Sequence, residues 1–123
     1  MSSGEILIIE DELELAELLA SFLLERGYTV SLICNAADFV KYQASDPVRP
    51  QVVVADRHLP GISLKDVGDF LRQRFVEVPA VLITAHSEFP EVERENFLKS
   101  IVLFKPFGLA DLIEVLEGFT PPG

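Results

Sequence analysis

The chain is short of cysteine: Cys34 is the only one in 123 residues, so no disulfide can close within it, and its stability must come from a packed core. The apolar neighbours Leu32 and Ile33 mark that thiol as a buried group in a reducing compartment rather than a reactive one. Basic charge is also scarce. Ten Lys and Arg stand against twenty Asp and Glu, a formal charge of −10, which would repel a phosphate backbone and argues against direct nucleic-acid binding. No uncharged apolar run approaches membrane-spanning length, and the N-terminal MSSGEILIIEDE carries acid where a signal peptide needs base. These absences lead us to expect a cytoplasmic protein without membrane contact.

What is present is an alternation of short apolar runs with helical spacings. Glu5 to Ile9, Tyr28 to Cys34, Gln51 to Ala55, Ala80 to Thr84 and Ile101 to Phe104 have the length and near-continuous apolarity of buried strands. Between them, Leu15, Leu18, Leu19, Phe22 and Leu23 outline a helix with Asp11 as a plausible N-cap and Gly27 as its C′ residue. Asn35 can cap a second helix over about Ala36 to Ala44, and Val67, Phe70 and Leu71 mark a third after the turn at Leu59-Pro60-Gly61. A weaker fourth helix is expected from Pro90 to about Lys99, and a fifth through Leu109, Leu112, Ile113 and Leu116, stopped by Gly118. Five strands alternating with five helices imply an α/β fold: a single doubly wound (βα)5 domain over residues 1–118 with a five-stranded parallel sheet. Residues 119–123 are then a tail or the start of a linker.

In such a sheet the ligand site lies beyond the carboxyl ends of the strands, near the point where strand order reverses. The first polar residues after each apolar run are Glu10 and Asp11, Asn35, Asp56, Thr84 and Lys105. Taken singly each has an ordinary reading: Asp56 as a turn former, Glu10-Asp11 as a helix cap, Thr84 as a strand-end hydroxyl, Lys105 as a solvated charge. Taken together they put three carboxylates, a hydroxyl and an ammonium on one edge. Crowded carboxylates need a cation, and an oxygen-only ligand set favours Mg²⁺, which takes further oxygens from a phosphate. A carboxylate ionised at neutral pH can attack phosphorus without a general base, with Lys105 and Thr84 binding phosphoryl oxygens. The expected product is an aspartyl phosphate at Asp56.

These residues resemble the receiver domain of bacterial two-component response regulators, a flavodoxin-like fold, over nearly the whole chain. That family has an acidic pair after its first strand, here Glu10-Asp11, and a phosphoacceptor Asp followed by a Pro-Gly turn, here Asp56 with Pro60-Gly61. It has Thr or Ser after the fourth strand, here Thr84-Ala85, and Lys-Pro after the fifth, here Lys105-Pro106-Phe107. The resemblance implies phosphoryl transfer from a histidine kinase or histidine phosphotransfer protein, with Mg²⁺ held by Asp11, Asp56, Glu10 and the carbonyl of His58. It implies a cis bond at Lys105-Pro106, and output through an effector domain or a separate output protein, with a homodimer among the assemblies it allows.

The chain departs from the family pattern at Val102, where an aromatic is usual, and at Leu98-Lys99-Ser100-Ile101, where Gly-Ala is common. These changes point to an unusual output face. His58 and His86 lie two residues beyond Asp56 and Thr84, either as solvated loop residues or as groups that set phosphoryl lifetime. Two other functions compete: a receiver-like interaction module that works without phosphorylation, and a phosphatase of the haloacid dehalogenase type. The latter needs a second Asp two residues after the nucleophile, where this chain has His58.

Overall fold

A computed structural model describes residues 4–56, 59, 61–75, 77–84 and 100–119. Five strands, β1 (Glu5–Ile9), β2 (Thr29–Ile33), β3 (Val52–Asp56), β4 (Ala80–Thr84) and β5 (Ser100–Phe104), form one sheet. The four helices among the described residues are α1 (Leu13–Glu25), α2 (Ala36–Ala44), α3 (Leu64–Arg74) and α4 (Leu109–Phe119). The helix expected over 90–99 lies outside the described residues. Every ladder is parallel and the strand order is β2-β1-β3-β4-β5. The chain leaves β1 toward one edge and returns past it to β3, so strand order reverses between β1 and β3.

Why each strand is apolar throughout follows from the two layers that cover the sheet. Successive side chains alternate between faces. Leu7, Ile9, Val53, Ala55, Ala80 and Leu82 pack with Tyr42, Leu64, Val67 and Leu71 of α2 and α3. Ile6, Ile8, Val52, Val54, Val81 and Ile83 pack with Leu19, Ala20 and Leu23 of α1 and Leu112 and Leu116 of α4. The doubly wound architecture is as the sequence led us to expect.

Several boundaries differ from the sequence reading. Strand β3 runs one residue further, to Asp56, because its ladder with β4 continues to the pair Asp56 and Ile83. Helix α1 starts from Glu12 rather than Asp11, and no side chain of the capping residue closes it. Instead the Glu12 N–H donates to Glu10 Oε1 at 3.1 Å, so a carboxylate upstream serves that helix end and leaves Asp11 exposed. The buried face of α1 is Ala16, Leu19, Ala20 and Leu23, an i, i+3, i+4, i+7 stripe, and Leu18 is left 55% exposed. Small alanines let α1 approach the sheet, which turns Leu18 outward. Helix α4 passes through Gly118 to Phe119, since a glycine in a last turn costs only about 1 kcal/mol.

Capping and turn chemistry hold elsewhere. The Asn35 side chain accepts from the Asp38 N–H at 2.8 Å, and Asp38 Oδ2 accepts from the Cys34 N–H at 2.9 Å, so each residue serves a donor at the start of α2. Gly27 after α1 (φ 93°) and Gly61 (φ 78°) take the left-handed backbone that favours glycine. At the second of these turns the Ile62 N–H donates to the Leu59 carbonyl at 3.1 Å.

One polar atom is out of place. Tyr42 of α2 is buried against Phe70, ring centroids 6.0 Å apart, and its hydroxyl oxygen has no hydrogen-bond partner among the described residues. Burial, with the Glu5 charge second, pushes that phenol up to about 12. A buried hydroxyl without a partner forfeits its hydration and gains nothing in return. We therefore expect Tyr42→Phe to leave stability unchanged or raise it by about 1 kcal/mol, and Asn35→Ala to lower it by about 1 kcal/mol, both read as shifts in urea midpoint.

Candidate functional site

The site grows from the sheet register. The last β1–β3 pair is Ile9 with Ala55, so one step further the two strands bring Glu10 and Asp56 side by side where strand order reverses. Both continue the alternation of Ile8 and Val54, and Lys105 continues that of Leu103 on β5, so the three side chains share one face of the sheet edge. Asp56 and Lys105 are separated by β4, about 10 Å of sheet, a span that a lysine stem can cross. Lys105 Nζ donates to Asp56 Oδ2 at 2.6 Å. The Lys105 N–H also donates to the Thr84 carbonyl at 2.8 Å, which fixes the start of the lysine loop on the end of β4. The Lys105-Pro106 bond is cis, as the resemblance implies.

The buried polar side chains among the described residues are Glu10, Asp56 and Thr84, at 3%, 4% and 1% exposure. All three belong to this edge and all three were singled out from the sequence. Buried charge is costly unless paired, and the short contact with Lys105 offsets the cost for Asp56. Burial lowers the Lys105 ammonium, but the hydrogen bond and charge of Asp56, helped by Glu10 and Glu12, outweigh it, and the net shift is upward. Glu10 is pushed up to about 8, by burial first. The Glu12 N–H opposes that shift, while a hydrogen bond to Asp56 and its charge add to it, and Lys105 opposes it again. Burial and the neighbouring Asp56 thus favour the protonated form of Glu10. Sequence reading expected both carboxylates to hold a metal and Asp56 alone to be the nucleophile; the two are equally buried, and only Asp56 has the short contact with Lys105.

The remaining sequence candidates are placed unequally. Asp11 is exposed at the entry to α1, and His58 and His86 lie outside the described residues. Among the described residues no three His, Cys, Asp or Glu side chains form a metal-holding cluster. The donors do fit a hard divalent cation chemically. They are all oxygen, and two buried carboxyl groups lie together at the sheet edge, where a cation would offset the burial cost of ionising both. Cys34, half-buried past the end of β2, has its thiol raised by burial and then by Asp38 and Glu10, in keeping with an inert group. Sequence reading did not single out Phe104, which lies in register with Thr84 at this edge and is half exposed; its place at a strand end was the available signal.

The Glu10 shift sets a pH dependence. In the unfolded chain Glu10 ionises near 4.5 and in the folded chain near 8, so across that window the folded state holds the extra proton and stability falls as pH rises. In chelator-treated buffer, the stability of the parent relative to Glu10→Gln should fall by up to about 1.4 kcal/mol per pH unit across that range and level off above it, in paired urea titrations. A flat difference would refute the assignment.

Comparison with known proteins gives the chain's family and supports its fold. Residues 6–117 match the response regulator receiver domain family. The transcriptional regulatory protein TcrA of Mycobacterium tuberculosis is 32% identical over all of this chain and 48% of its own length. The alkaline phosphatase synthesis transcriptional regulatory protein SphR of Synechococcus elongatus is 29% identical over 90% of this chain and 46% of its own. The chain therefore spans about half the length of these curated relatives. Among solved structures, response regulator protein TrrA of Thermotoga maritima, in complex with Mg²⁺ and BeF, superposes with a TM-score of 0.73 at 26% identity, over 94% of this chain and 98% of that one. With its parallel five-stranded sheet, its acidic and lysine residues at one strand edge and a family match over most of its length, this chain belongs to the response regulator receiver domains.

Proposed function

We propose that the chain is a phosphoacceptor that takes a phosphoryl group onto Asp56 from a phosphohistidine of a histidine kinase or phosphotransfer protein, and that loading changes its partner-binding face. The observation that carries this reading is the buried Asp56 carboxylate held 2.6 Å from Lys105 Nζ beside Thr84. An Asp56 oxygen attacks phosphorus, the P–O bond forms as the P–N bond to the donor imidazole breaks, and the imidazole leaves with its electron pair and takes up a proton. Lys105 shifts from Asp56 to a phosphoryl oxygen as a point charge, and the Thr84 hydroxyl donates to another. Glu10, Asp11, Asp56 and the His58 carbonyl would hold Mg²⁺, which when bound neutralises charge on the carboxylates and the transferred group. Loss of the group is hydrolysis at the same carboxylate.

Fold and family support a signalling role rather than turnover of a substrate. Kinase and output partners, cytoplasmic location and a domain over residues 1–118 with a tail from 119 are parts of the same proposal. Among the described residues no helix is long and apolar enough to cross a membrane.

The test is incubation with Mg²⁺ and a small acyl phosphate, followed by intact-mass measurement. We expect one phosphoryl group on the parent and none on Asp56→Asn, loss of labelling when Mg²⁺ is chelated, and labelling slowed on the order of a hundredfold in Lys105→Met. Catalytic release of phosphate would favour a phosphatase, and an unlabelled parent would favour a phosphorylation-independent interaction module.

A further inference from the structure

Strand β2 ends the sheet, and among the described residues no further strand pairs with its outer side. From Tyr28 to Asn35 the chain has no Lys, Arg, Asp, Glu or Pro, the residues that commonly blunt an edge against pairing with another chain. The Thr29 N–H donates to the Gly4 carbonyl at 3.0 Å and the Ile33 carbonyl accepts from the Glu10 N–H at 3.1 Å, so Thr29, Ser31 and Ile33 turn their backbone groups toward β1. Alternate residues of a parallel strand bond to opposite sides, so Val30 and Leu32 turn theirs outward. Those groups stand symmetrically about Ser31. In an antiparallel pair centred there, the N–H and C=O of Val30 bond to Leu32 of a second copy, and those of Leu32 bond to its Val30.

The two helices that pack on β2 carry patterns of the same symmetry. Helix α1 buries Ala16, Leu19, Ala20 and Leu23 against the sheet, and at about 100° per residue Leu15 and Phe22 fall on one flank of that stripe, Leu13 and Leu24 on the other. Leu15 and Phe22 are half-buried in the layer shared with α4, whereas Leu13 and Leu24 are each 55% exposed. The first flank therefore faces α4 and the second overhangs the free edge of β2. Because α1 rests on both β1 and β2, pairing of two β2 strands at a spacing of about 4.8 Å brings the two α1 axes about 10 Å apart, a helix-packing distance. They run antiparallel, so Leu13 at one end of the flank meets Leu24 at the other. On the opposite face of the sheet, Asp38 of α2 accepts from the Cys34 N–H just past β2, which sets its flank toward that strand. Lys41 lies one turn further along the same flank, so antiparallel apposition brings it to Asp38 of the second copy. Such self-matching is what an isologous interface requires.

We propose that β2 is a docking edge for a second copy of this chain: two β2 strands pair antiparallel about Ser31 into one continuous sheet, flanked on one face by Leu13 and Leu24 of the paired α1 helices and on the other by Asp38 and Lys41 of α2. The contact between Asp56 and Lys105 joins β3 to β5, away from this edge, so association needs no phosphoryl group and is independent of the phosphoacceptor reading. A formal charge of −10 on each copy opposes it, and screening relieves that repulsion, so association strengthens with salt. The other edge strand, β5, is bracketed by Lys99 and by Lys105-Pro106, charge and proline of the kind that discourages strand addition.

Sedimentation velocity on the full chain, in a concentration series reaching about 1 mM at low and high salt, reads the association. A monomer–dimer equilibrium is expected, tighter at high salt and unchanged in Asp56→Asn. Leu13→Glu and Leu24→Glu should each weaken it about tenfold or more, while Leu18→Glu, equally exposed but off this flank, and Ile101→Lys on β5 should leave it as in the parent. Urea midpoints of the dilute variants check that each keeps its fold. Amide hydrogen exchange asks the same question of the unsubstituted protein: the Val30 and Leu32 amides should gain protection as the dimer forms, while the Ser31 amide, turned toward β1, is protected at every concentration. A chain that stays monomeric throughout the series overturns the inference. So does a dimer indifferent to Leu13→Glu and Leu24→Glu, one lost in Leu18→Glu or Ile101→Lys instead, or one whose Val30 and Leu32 amides exchange as fast as in the monomer. Failure of Asp56 to accept a phosphoryl group would overturn the phosphoacceptor reading and leave this edge standing.

Discussion

The contact between Lys105 and Asp56 is the constraint on which the rest of the edge depends. Asp56 ends a strand that is buried on both faces, and a carboxylate in that position would be expelled or neutralised without a cation within reach. The cation comes from 49 residues away, across β4, and arrives only when β3, β4 and β5 are in their parallel register. The Lys105 N–H bond to the Thr84 carbonyl fixes the lysine's starting point, and the Asp56 carboxylate fixes its end. Charge pairing and sheet assembly are in this sense one event.

Around that pair the site is arranged as unequal environments. Glu10 and Asp56 are adjacent carboxyl groups at the point where strand order reverses, yet burial and proximity drive Glu10 toward its protonated form while Asp56 keeps the lysine. Glu10 also accepts from the Glu12 N–H at the start of α1, so a change in its charge would be felt at that helix end as well. Thr84 shares the buried edge from the opposite face of the sheet, with Phe104 beside it in register.

The strands, the parallel class and the doubly wound architecture were legible in the residues because a strand covered on both faces must be apolar at nearly every position. Runs such as VVVA and AVLIT have no amphipathic alternative. The bounds of β1, β4 and α2 followed from the same logic, the last helped by Asn35 as cap. The Asp11 cap and the burial of Leu18 were misjudged, since which residue serves a helix end depends on what a neighbouring loop offers, and which stripe is buried depends on how closely the helix approaches the sheet. Gly118 did not end α4 because a glycine is tolerated in a last turn that nothing crowds.

What the sequence determined by itself is the order of elements and the chemical inventory at their ends: carboxylates after the first and third strands, a hydroxyl after the fourth, an ammonium after the fifth. Those are local properties of hydrophobic runs and the residues that stop them. Only the tertiary structure decided that Asp56 lies inside its strand rather than in a turn after it, that Lys105 reaches it across a third strand, and that Glu10 alone of the acidic pair is buried. Distance and desolvation are properties of the assembled sheet. The pairing, the raised Glu10 and the place of Phe104 beside Thr84 exist only once residues distant in sequence share one edge.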